Sequence, residues 1–450
     1  MNRCGQGMST LLAGFPVLQL PALMPGPILV QSAVKPRPLA FAALRHPGFR
    51  AYFLLSALAM MADNIEHVIS YWVIFEKFQS PALGGFAVVS HWLPFLLFSV
   101  YSGSLADRHD PRRMIQIGMV LFMLVSIGWG LLFLTGALQM WHAGVLLVVH
   151  GLAGVLWGPA SQMLLHDIVG REHLQSAVRL NATARQLGML MGPGVGGALL
   201  MWLGAETGIL INALLYLPFI VWLAVAPYGP KFRAAGSVVM TRAVRSLGDV
   251  WQTLREIAGH RVILIMTLLA GAASLFVGNA YQPQMPGFAH DLGQLDADLF
   301  YSLLLGADAA GALTAGFVLE AGSLLPARAR SACVLAMGWC LALAGFAMSS
   351  SYGLALVCLF VAGFMELSFN AMAQTLVQLE APVDMRGRAI GLFNMFASGM
   401  RMFSGITVGL VGARIGIHWS LALSAGALFV FIGVLLRWSA RWKLADRSGR

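Results

Sequence analysis

The chain has 450 residues, of which 58% are hydrophobic and 11% are charged, and its mean hydropathy is +0.76. Soluble domains carry about 25% charged residues, so this composition excludes an ordinary water-soluble protein and indicates a membrane protein. The net charge of +10 is typical of the positive residues that membrane proteins keep on their cytoplasmic side, and no nucleic-acid-binding motif accompanies it.

The first 44 residues differ from the rest, because prolines interrupt an otherwise apolar stretch. Prolines at this density break a helix, so we predict a flexible cytoplasmic tail over 1–44 rather than a membrane span. A signal peptide and a start assigned too early are the alternatives. The prolines are Pro16, Pro21, Pro25, Pro27, Pro36 and Pro38.

A spanning helix needs about 20 apolar residues, and twelve stretches of the remaining chain qualify. They predict an N-terminal bundle over 45–227 and a C-terminal bundle over 262–437. A cytoplasmic linker over 228–261 joins the bundles, and a basic cytoplasmic tail follows over 438–450. The spans lie near 50–77, 84–106, 114–136, 141–165, 177–203, 207–227, 262–286, 295–319, 330–349, 352–377, 388–412 and 418–437.

The distribution of positive charge decides the predicted orientation. If both termini are cytoplasmic, nearly all Lys and Arg residues between spans fall on the cytoplasmic side, and the other side holds only Lys77 and Arg414. The positive-inside rule therefore predicts that both ends lie in the cytoplasm. In the linker, apolar residues from 243 to 257 recur at helical spacing, so we expect an amphipathic helix on the inner leaflet. A regulatory role is the alternative to a plain linker.

A charged hinge at 103–113 connects the second and third spans, and its glycine and acid recur later in the chain. Gly103 and Asp107 have the same spacing as Gly316 and Glu320. Two such halves, each with an acid at the end of its second span, are typical of a two-domain secondary transporter. A second set with the same offset pairs Asn181, Gly192 and Gly196 with Asn394, Gly405 and Gly409.

The hinge resembles the loop signature of the major facilitator superfamily. The resemblance implies an all-α membrane protein with 12 transmembrane helices in two pseudo-symmetric six-helix bundles, in a bacterial-type inner membrane. Segments 45–49, 157–160, 169–177, 192–197 and 386–388 look like the branch that contains enterobactin exporters and related efflux permeases. The matching hinge residues are Gly103, Leu105, Ala106, Asp107, Arg108, Arg112 and Arg113.

One departure concerns the fourth span, where many proton-coupled drug antiporters of the superfamily carry an arginine. The corresponding stretch here, 147–151, contains no arginine. If proton coupling occurs, it must use a different relay, for which span 1 is the candidate.

The resemblance implies that charges of both halves close the cytoplasmic side. By the repeat, Asp107 would meet the start of span 11 at 386–388, and Glu320 would meet Arg171 or Arg179 at the start of span 5. An acid at a helix N-terminus is favoured by the helix dipole. The alternative is that these charges only set the topology. The gating candidates are Gly103, Asp107, Arg108, Arg112, Glu320, Arg386 and Arg388.

Span 5 contains glycines that repeat every four residues, so they form a smooth stripe that lets helices approach closely. Its proline removes a backbone hydrogen bond and allows a bend. The superfamily's antiporter motif lies in this region and is associated with export, whereas ordinary helix packing explains the glycines equally well. The motif residues are Gly188, Gly192, Pro193, Gly196 and Gly197.

Ionisable residues in the middle of a span are costly in lipid and mark candidate functional sites. Asp63, Glu66 and His67 lie at i, i+3 and i+4 of span 1, so they share one helix face. A carboxyl group there can bind and release a proton during transport; the alternative is a static polar network with Arg401 or Asn64. The proton-coupling candidates are Asp63, Glu66, Asp308 and Glu366, and the cavity candidates are His67, His91, His150 and Arg401.

These observations predict a carrier that exports a small amphipathic organic compound, drug-like or siderophore-like, by proton antiport with alternating access. The alternatives are an uptake permease or lipid flippase on the same fold, and a non-transporting receptor or scaffold. No nucleophile–base arrangement, metal-ligand set or phosphate-binding loop stands out, so we expect neither an enzyme nor a bound cofactor or metal. The expected partners are the substrate, protons and the bilayer, without nucleic acid, and we expect a monomer.

Overall fold

The computed structural model describes residues 40–78, 81–232, 244, 246–278, 280–293, 297–322, 327–404, 408 and 411–448, and the regular structure in these residues is helical, without strands. Three of the first helices begin with a proline, which fits the first helical turn because its missing N–H is not needed there. The helices are α1 (Pro47–Phe78), α2 (Pro81–Arg108), α3 (Pro111–Leu134), α4 (Met140–Val169), α5 (Leu174–Leu214), α6 (Leu217–Val225), α7 (Leu247–Ala258), α8 (Arg261–Phe276), α9 (Met285–Asp291), α10 (Ala297–Gly322), α11 (Ala329–Ala347), α12 (Tyr352–Glu380), α13 (Arg386–Asn394), α14 (Arg401–Ser404), α15 (Val411–Ile415) and α16 (Ile417–Ser448).

The predicted spans all overlap these helices, which confirms the expected all-helical membrane architecture. By length and hydropathy alone, seven helical stretches of the described residues could cross a membrane, or eight if α7 and α8, which meet at a bend of 116°, count as one span. Helix α1 does not qualify, because Asp63, Glu66 and His67 lower its hydropathy. These three polar residues of α1 are also candidates for proton coupling or for lining the cavity.

Four predicted spans do not correspond to single straight helices. Spans 5 and 6 meet within α5 at Gly204, whose φ of 77° breaks the helix in a conformation that glycine adopts without strain. Span 7 is divided between α8 and α9. Span 11 contains a π-helical turn at Met395–Gly399 between α13 and α14, a feature that often occurs at functional sites. Hydropathy does not register such breaks, because the composition stays apolar through them.

The chain before α1 packs against the rest of the protein from residue 42 onward. Residues Ala42–Arg45 form a 3₁₀-helix in which Ala42 and Ala43 are buried, and the Ala43 N–H donates to the Ser176 hydroxyl at 3.0 Å. The end of the predicted flexible tail is therefore ordered, while its residues 1–39 lie outside the described residues. At the other end of the chain, α16 continues into the predicted basic tail as far as Ser448.

Next to this segment, the Nε2 atom of His46 lies 2.8 Å from Nδ1 of His173. Partial burial and the neighbouring His173 lower the pKa of His46. Both effects favour a neutral ring, which suits a hydrogen bond between two imidazoles.

The linker helix α7 begins at Leu247, later than the predicted start at 243. Ser246 and Asp249 form a capping box, in which each side chain accepts a hydrogen bond from the other residue's backbone N–H, and such a cap fixes where a helix begins. Leu247 and Trp251 are exposed, as expected for an amphipathic helix. Residues 233–243 and 245 of the linker lie outside the described residues.

The glycine stripe of α5 packs against α1. A Cβ atom at Gly192 would lie 2.4 Å from the Cβ of Asn64, and one at Gly188 would lie 2.7 Å from the Cβ of Met60. Gly196 also faces α1, whereas Gly197 has no atom within 4 Å of the Cβ position. The stripe therefore allows close contact between the two helices, as the packing interpretation predicts. Helix α5 continues through Pro193, which is exposed, and its recorded break is at Gly204.

Apolar side chains form separate clusters in the two parts of the chain. Tyr52, Phe122 and Tyr216 belong to a cluster built mainly from α1–α6, and Trp339 and Phe346 belong to one built mainly from α8–α16. Each cluster provides a core for its own group of helices, here called the N-half (α1–α6) and the C-half (α8–α16). The boundaries predicted for the two bundles stay predictions.

Candidate functional site

A cleft lies between the N-half and the C-half, and it has two compartments. The first has a volume of about 310 Å³ and is lined mainly by α1, α2, α4 and α5, together with Asn394, Ser398 and Arg401. The second has a volume of about 160 Å³ and is lined largely by the C-half. Both are lined by Arg185 and Arg401, so the compartments adjoin. The size suits a small molecule.

One wall of the first compartment contains a buried group of two acids and one histidine. His150 of α4 places Nδ1 2.8 Å from Glu66 Oε1 and Nε2 3.1 Å from Asp63 Oδ1. The Ser126 hydroxyl donates to the other oxygen of Glu66, and Asn212 donates to that hydroxyl at 3.3 Å. A single imidazole therefore bridges both carboxylates proposed for proton coupling. The following text calls Asp63, Glu66 and His150 the carboxylate–histidine group.

His67 and His91 extend this group toward the open part of the cleft. His67 Nδ1 lies 3.7 Å from Asp63 Oδ2, and His91 Nδ1 is buried without a hydrogen-bond partner in the described part of the chain. Nitrogen atoms of His67, His91 and His150 lie within 4.8 Å of one another, a spacing at which a metal ion could be held. Both nitrogens of His150 already lie within ion-pair distance of carboxylates, however, so we interpret the histidines as part of a polar network.

The second compartment brings together the two acids proposed in the C-half. The hydroxyl of Tyr281 lies 3.5 Å from Asp308 Oδ2 and 3.5 Å from Glu366 Oε2. The other oxygen of Asp308 is buried without a hydrogen-bond partner among the described residues. Two acids from separate helices, α10 and α12, therefore meet at one tyrosine.

Neither of the neutralising partners considered for Asp63 and Glu66 contacts them. Asn64 donates its amide to the carbonyl of Met60 in its own helix. Arg401 lies instead over the ring of Trp92, with its guanidinium carbon 5.1 Å from the ring centroid. The carboxylate–histidine group is thus held together without either of them.

Amide side chains connect the halves beside the cleft. The Gln162 amide of α4 donates to the side-chain oxygen of Asn394 at 3.0 Å, and Gln378 of α12 donates to Gln162 at 3.2 Å. Gln162 and Asn394 line both compartments. These neutral contacts join the halves at the level of the cleft.

At the end of the bundle where α2 terminates, here called the Asp107 end, Asp107 contacts the N-terminus of α13. Its carboxylate accepts hydrogen bonds from the backbone N–H groups of Gly387 and Arg388. Gly103 and Gly387 allow this approach, because a Cβ atom on Gly103 would lie 2.1 Å from the Gly387 carbonyl oxygen. The side chain of Arg388 pairs with Glu256 of the linker helix at 3.1 Å. Asp107 therefore meets backbone amides rather than arginine side chains.

A related contact joins α10 to α5. The carboxylate of Glu320 accepts a hydrogen bond from the Ser176 hydroxyl, and its other oxygen lies 4.0 Å from Arg179 Nη1. Arg179 also donates to the carbonyl of Leu319 at 2.9 Å. Of the two arginines considered for Glu320, the structure places Arg179 beside it, while Arg171 is exposed.

The remaining gating candidates lie nearby with other contacts. Arg112 pairs with Asp110 at 2.7 Å and donates to the Ala226 carbonyl, so it holds α3 and α6 together within the N-half. Arg108 is exposed at the end of α2, and Arg386 is the first residue of α13.

Several polar residues of the site were not singled out by the sequence, among them Gln162, Gln378 and Asn212 and the three discussed next. Arg185 lies in a predicted span, and an ionisable residue at that depth was the available signal. Tyr281 and Ser126 carry no such signal, since tyrosine and serine are common in membrane helices. Only the fold brings them to the acids.

A sequence model of the transmembrane secretion effector family, which is part of the major facilitator superfamily, matches residues 39–448. The chain belongs to this family. Members of the superfamily are transporters, so the protein is a multi-pass membrane transporter, and the resemblance stated from its motifs is confirmed.

Its relatives include transporters named for export. The uncharacterized MFS-type transporter YfiS of Bacillus subtilis is 28% identical over 385 residues, covering 80% of this chain and 85% of the relative. The enterobactin exporter EntS of Shigella boydii is 26% identical over 408 residues, covering 87% and 91%. The multidrug efflux pump Tap of Mycolicibacterium fortuitum is 24% identical over 411 residues, covering 88% and 97%.

Solved structures show the same fold. The Escherichia coli fucose:proton symporter FucP aligns with a TM-score of 0.66 at 13% identity, covering 87% of this chain and 98% of that one. The proton:xylose symporter XylE aligns with a TM-score of 0.67 at 16% identity, covering 86% and 95%. The major-facilitator-type fold predicted from the sequence is therefore confirmed.

Proposed function

We propose that this protein exports a small amphipathic organic compound across a bacterial inner membrane in exchange for protons. Relatives named as an enterobactin exporter and a multidrug efflux pump support the direction of transport. The cleft between the halves would hold the compound, and its exposure to alternate sides of the membrane would move it.

The observation that carries proton exchange is the carboxylate–histidine group in the cleft wall. A charged imidazole between two carboxylates is held by a charge-assisted hydrogen bond to Glu66 and by an ion pair with Asp63, and the group can hold one proton more or less depending on how closely the three side chains meet. Because Asp63 also lines the first compartment, a compound in the cleft changes the surroundings of the group. Binding of the compound and release of a proton are then linked.

Asp308 and Glu366 supply a second place where a proton can bind in the same cleft. Because both carboxylates contact Tyr281, its hydroxyl can donate a hydrogen bond to whichever of them is charged. We assign them the supporting role, since their oxygens approach Tyr281 only at 3.5 Å.

The Asp107 end is proposed as the cytoplasmic side, with both chain termini in the cytoplasm. There Asp107 accepts hydrogen bonds from the N-terminus of α13, and Glu320 accepts one from the start of α5. Each half therefore contributes one acid that binds the other half. Opening this end requires both contacts to break. Asp107 and Glu320 therefore act as gating residues in the proposed cycle.

The test uses inverted membrane vesicles that contain the protein, an imposed pH gradient and a pH-sensitive dye. Fluorescent amphiphiles of different charge are added in turn, and we expect at least one to collapse the gradient. Asp63→Asn and Glu66→Gln should abolish this effect, because each removes a carboxylate from His150. Glu172→Gln, which changes an exposed acid in the turn between α4 and α5, is the matched control.

Proton exchange is wrong if no compound collapses the gradient, or if both variants behave as the unmodified protein does. The direction is tested in cells with and without the gene, where export lowers the accumulation of the same compounds. Greater accumulation in cells with the gene would instead show uptake.

A further inference from the structure

Two arginine side chains enter the cleft from opposite halves. Arg185 lies on α5 of the N-half, and Arg401 lies at the start of α14, directly after the π-helical turn. Each lines both the first and the second compartment. The middle of the protein therefore has two positive charges on facing helices, contributed one by each half.

Neither guanidinium group forms a close ion pair within the part of the chain that the structure describes. Among the described residues, neither has a carboxylate oxygen within 4 Å, and neither donates a hydrogen bond to a protein acceptor. The Nε atom of Arg401 is buried without a hydrogen-bond partner among the described residues, whereas the side chain of Arg185 is exposed and lines the cleft. A buried polar group without a partner is costly, and an exposed guanidinium is accessible to a ligand, so both groups are suited to a partner that the protein itself does not supply.

The acids of the cleft already have other partners. Asp63 and Glu66 are held by His150, and the two C-half acids meet at the hydroxyl of Tyr281. Glu366 lines the second compartment together with Arg401, but its oxygens lie beyond 4 Å from the guanidinium. Among the described residues that line the cleft, the two arginines are thus charged groups without a carboxylate within 4 Å.

We propose that the exported compound is an organic anion with an aromatic body, whose acidic group is bound between Arg185 and Arg401. This inference rests on the proposed function, because it names the chemical class of the transported compound. A guanidinium presents a planar fork of N–H groups that matches the two oxygens of a carboxylate or sulfonate.

The first compartment supplies the surface for the aromatic body. Trp92, Phe95, Tyr71 and Trp157 line it, and aromatic walls with a few polar groups are typical of small-molecule sites. Trp92 contacts Arg401 through its ring, so the apolar wall and the anion-binding group are adjacent. A molecule with one acidic end and one aromatic end fits this arrangement.

An anion between the arginines also has a consequence for transport. Two like charges on opposite halves repel each other, and a bound anion replaces that repulsion with attraction to both. Occupancy of the cleft would therefore favour close approach of the halves around the compound.

The test measures binding to the purified full-length protein in lipid nanodiscs by isothermal titration calorimetry. Three aromatic acids, benzoate, 2-naphthoate and 1-pyrenebutyrate, are each compared with the corresponding primary amide. We expect at least one acid to bind about tenfold or more tightly than its amide, as a charge-assisted hydrogen bond implies. Arg185→Gln and Arg401→Gln should each remove most of this preference.

Two further variants separate a specific site from general effects. Arg401→Lys keeps the charge but not the fork, so it should retain part of the preference. Arg50→Gln, which changes an exposed arginine at the start of α1, should leave it unchanged. Thermal unfolding of each variant shows whether it is folded. The proposal is overturned if no acid is preferred over its amide, or if both glutamine variants bind the acids as the unmodified protein does.

The outcome is independent of proton exchange, since binding is measured without a pH gradient. Acids that bind at the arginines without collapsing the gradient in vesicles would support the anion site and contradict antiport. Neutral or cationic amphiphiles that collapse the gradient, without any preference for acids in binding, would contradict the anion site and leave antiport standing.

Discussion

His150 determines how the two acids of α1 can act. Asp63 and Glu66 are one helical turn apart, and without a bridging cation they would repel each other. With Nδ1 2.8 Å from Glu66 and Nε2 3.1 Å from Asp63, the imidazole contacts both at once. The three side chains therefore form one connected polar group, and substitution of any member changes the surroundings of the others.

A prediction at this scale concerns His150→Gln. Glutamine keeps a polar side chain that can donate to one carboxylate, but it cannot carry a proton. We expect the variant to lose the compound-driven collapse of the pH gradient, with binding of the compound retained. The vesicle assay and calorimetry measure the two properties separately.

His109→Gln changes an exposed histidine after α2 and serves as the control. If His150→Gln exchanged protons over the same pH range as the control, the imidazole would not be part of the proton pathway.

At the level of helices, the close packing of α5 depends on glycines. The sequence pattern could locate these glycines, but it could not show which helix packs against them. The four-residue spacing predicts a smooth face on α5. The structure shows that this face contacts α1, with Gly192 against Asn64. Helix α1 also carries Asp63 and Glu66, so the packing between α1 and α5 positions the acids.

We expect Gly192→Ala to destabilise the protein by about 1–3 kcal/mol, because the new methyl group overpacks the contact with Asn64. Gly197→Ala, five residues further along the same helix, meets no atom within 4 Å and should be neutral or slightly stabilising, since alanine is the better helix former. Thermal unfolding in detergent compares the two. Equal melting temperatures would contradict the tight contact between α1 and α5.

The contact between α2 and α13 leads to a second prediction at this scale. Hydrogen bonds to a charged group contribute about 1.5–3 kcal/mol, so Asp107→Ala should release the amides of Gly387 and Arg388. We expect these amides to exchange with deuterium about tenfold faster or more, as measured by mass spectrometry of peptides covering α13.

Asp110→Ala is the control for this prediction, since Asp110 pairs with Arg112 and caps α3 within its own half. It should leave the exchange of α13 unchanged. If Asp107→Ala also left α13 as protected as before, the contact would not hold the two halves together.

For the whole molecule, the fold could be predicted because its determinants are local. Runs of apolar residues mark the helices, the spacing of Gly103 and Asp107 recurs in the second half, and the hinge motif carries the resemblance to the superfamily. The bend at Gly204 and the π-helical turn before Arg401 could not be predicted, since neither changes the hydropathy of its segment.

The site could be predicted only where its residues are neighbours on one helix. Asp63 and Glu66 share a face through their i, i+3 spacing, but no spacing rule connects them to His150 on another helix. The presence of Arg185 and Arg401 in one cleft, and the meeting of Asp308 with Glu366 at Tyr281, likewise depend on how helices far apart in sequence pack. Such encounters are properties of the tertiary structure.

Arg388 makes contacts at the Asp107 end both through its backbone N–H and through its guanidinium group, which also donates to the Asp384 carbonyl at 3.4 Å. Its backbone amide binds Asp107 of the N-half, and its guanidinium pairs with Glu256 of the linker helix. An Arg388→Ala substitution removes the ion pair with Glu256 of the linker helix but keeps the backbone N–H that binds Asp107. The effect of such a substitution therefore reports on the side-chain contacts of Arg388 and not on the contact with Asp107. Only a substitution of the acid itself, or a proline at 388 that deletes the N–H, would isolate the other contact.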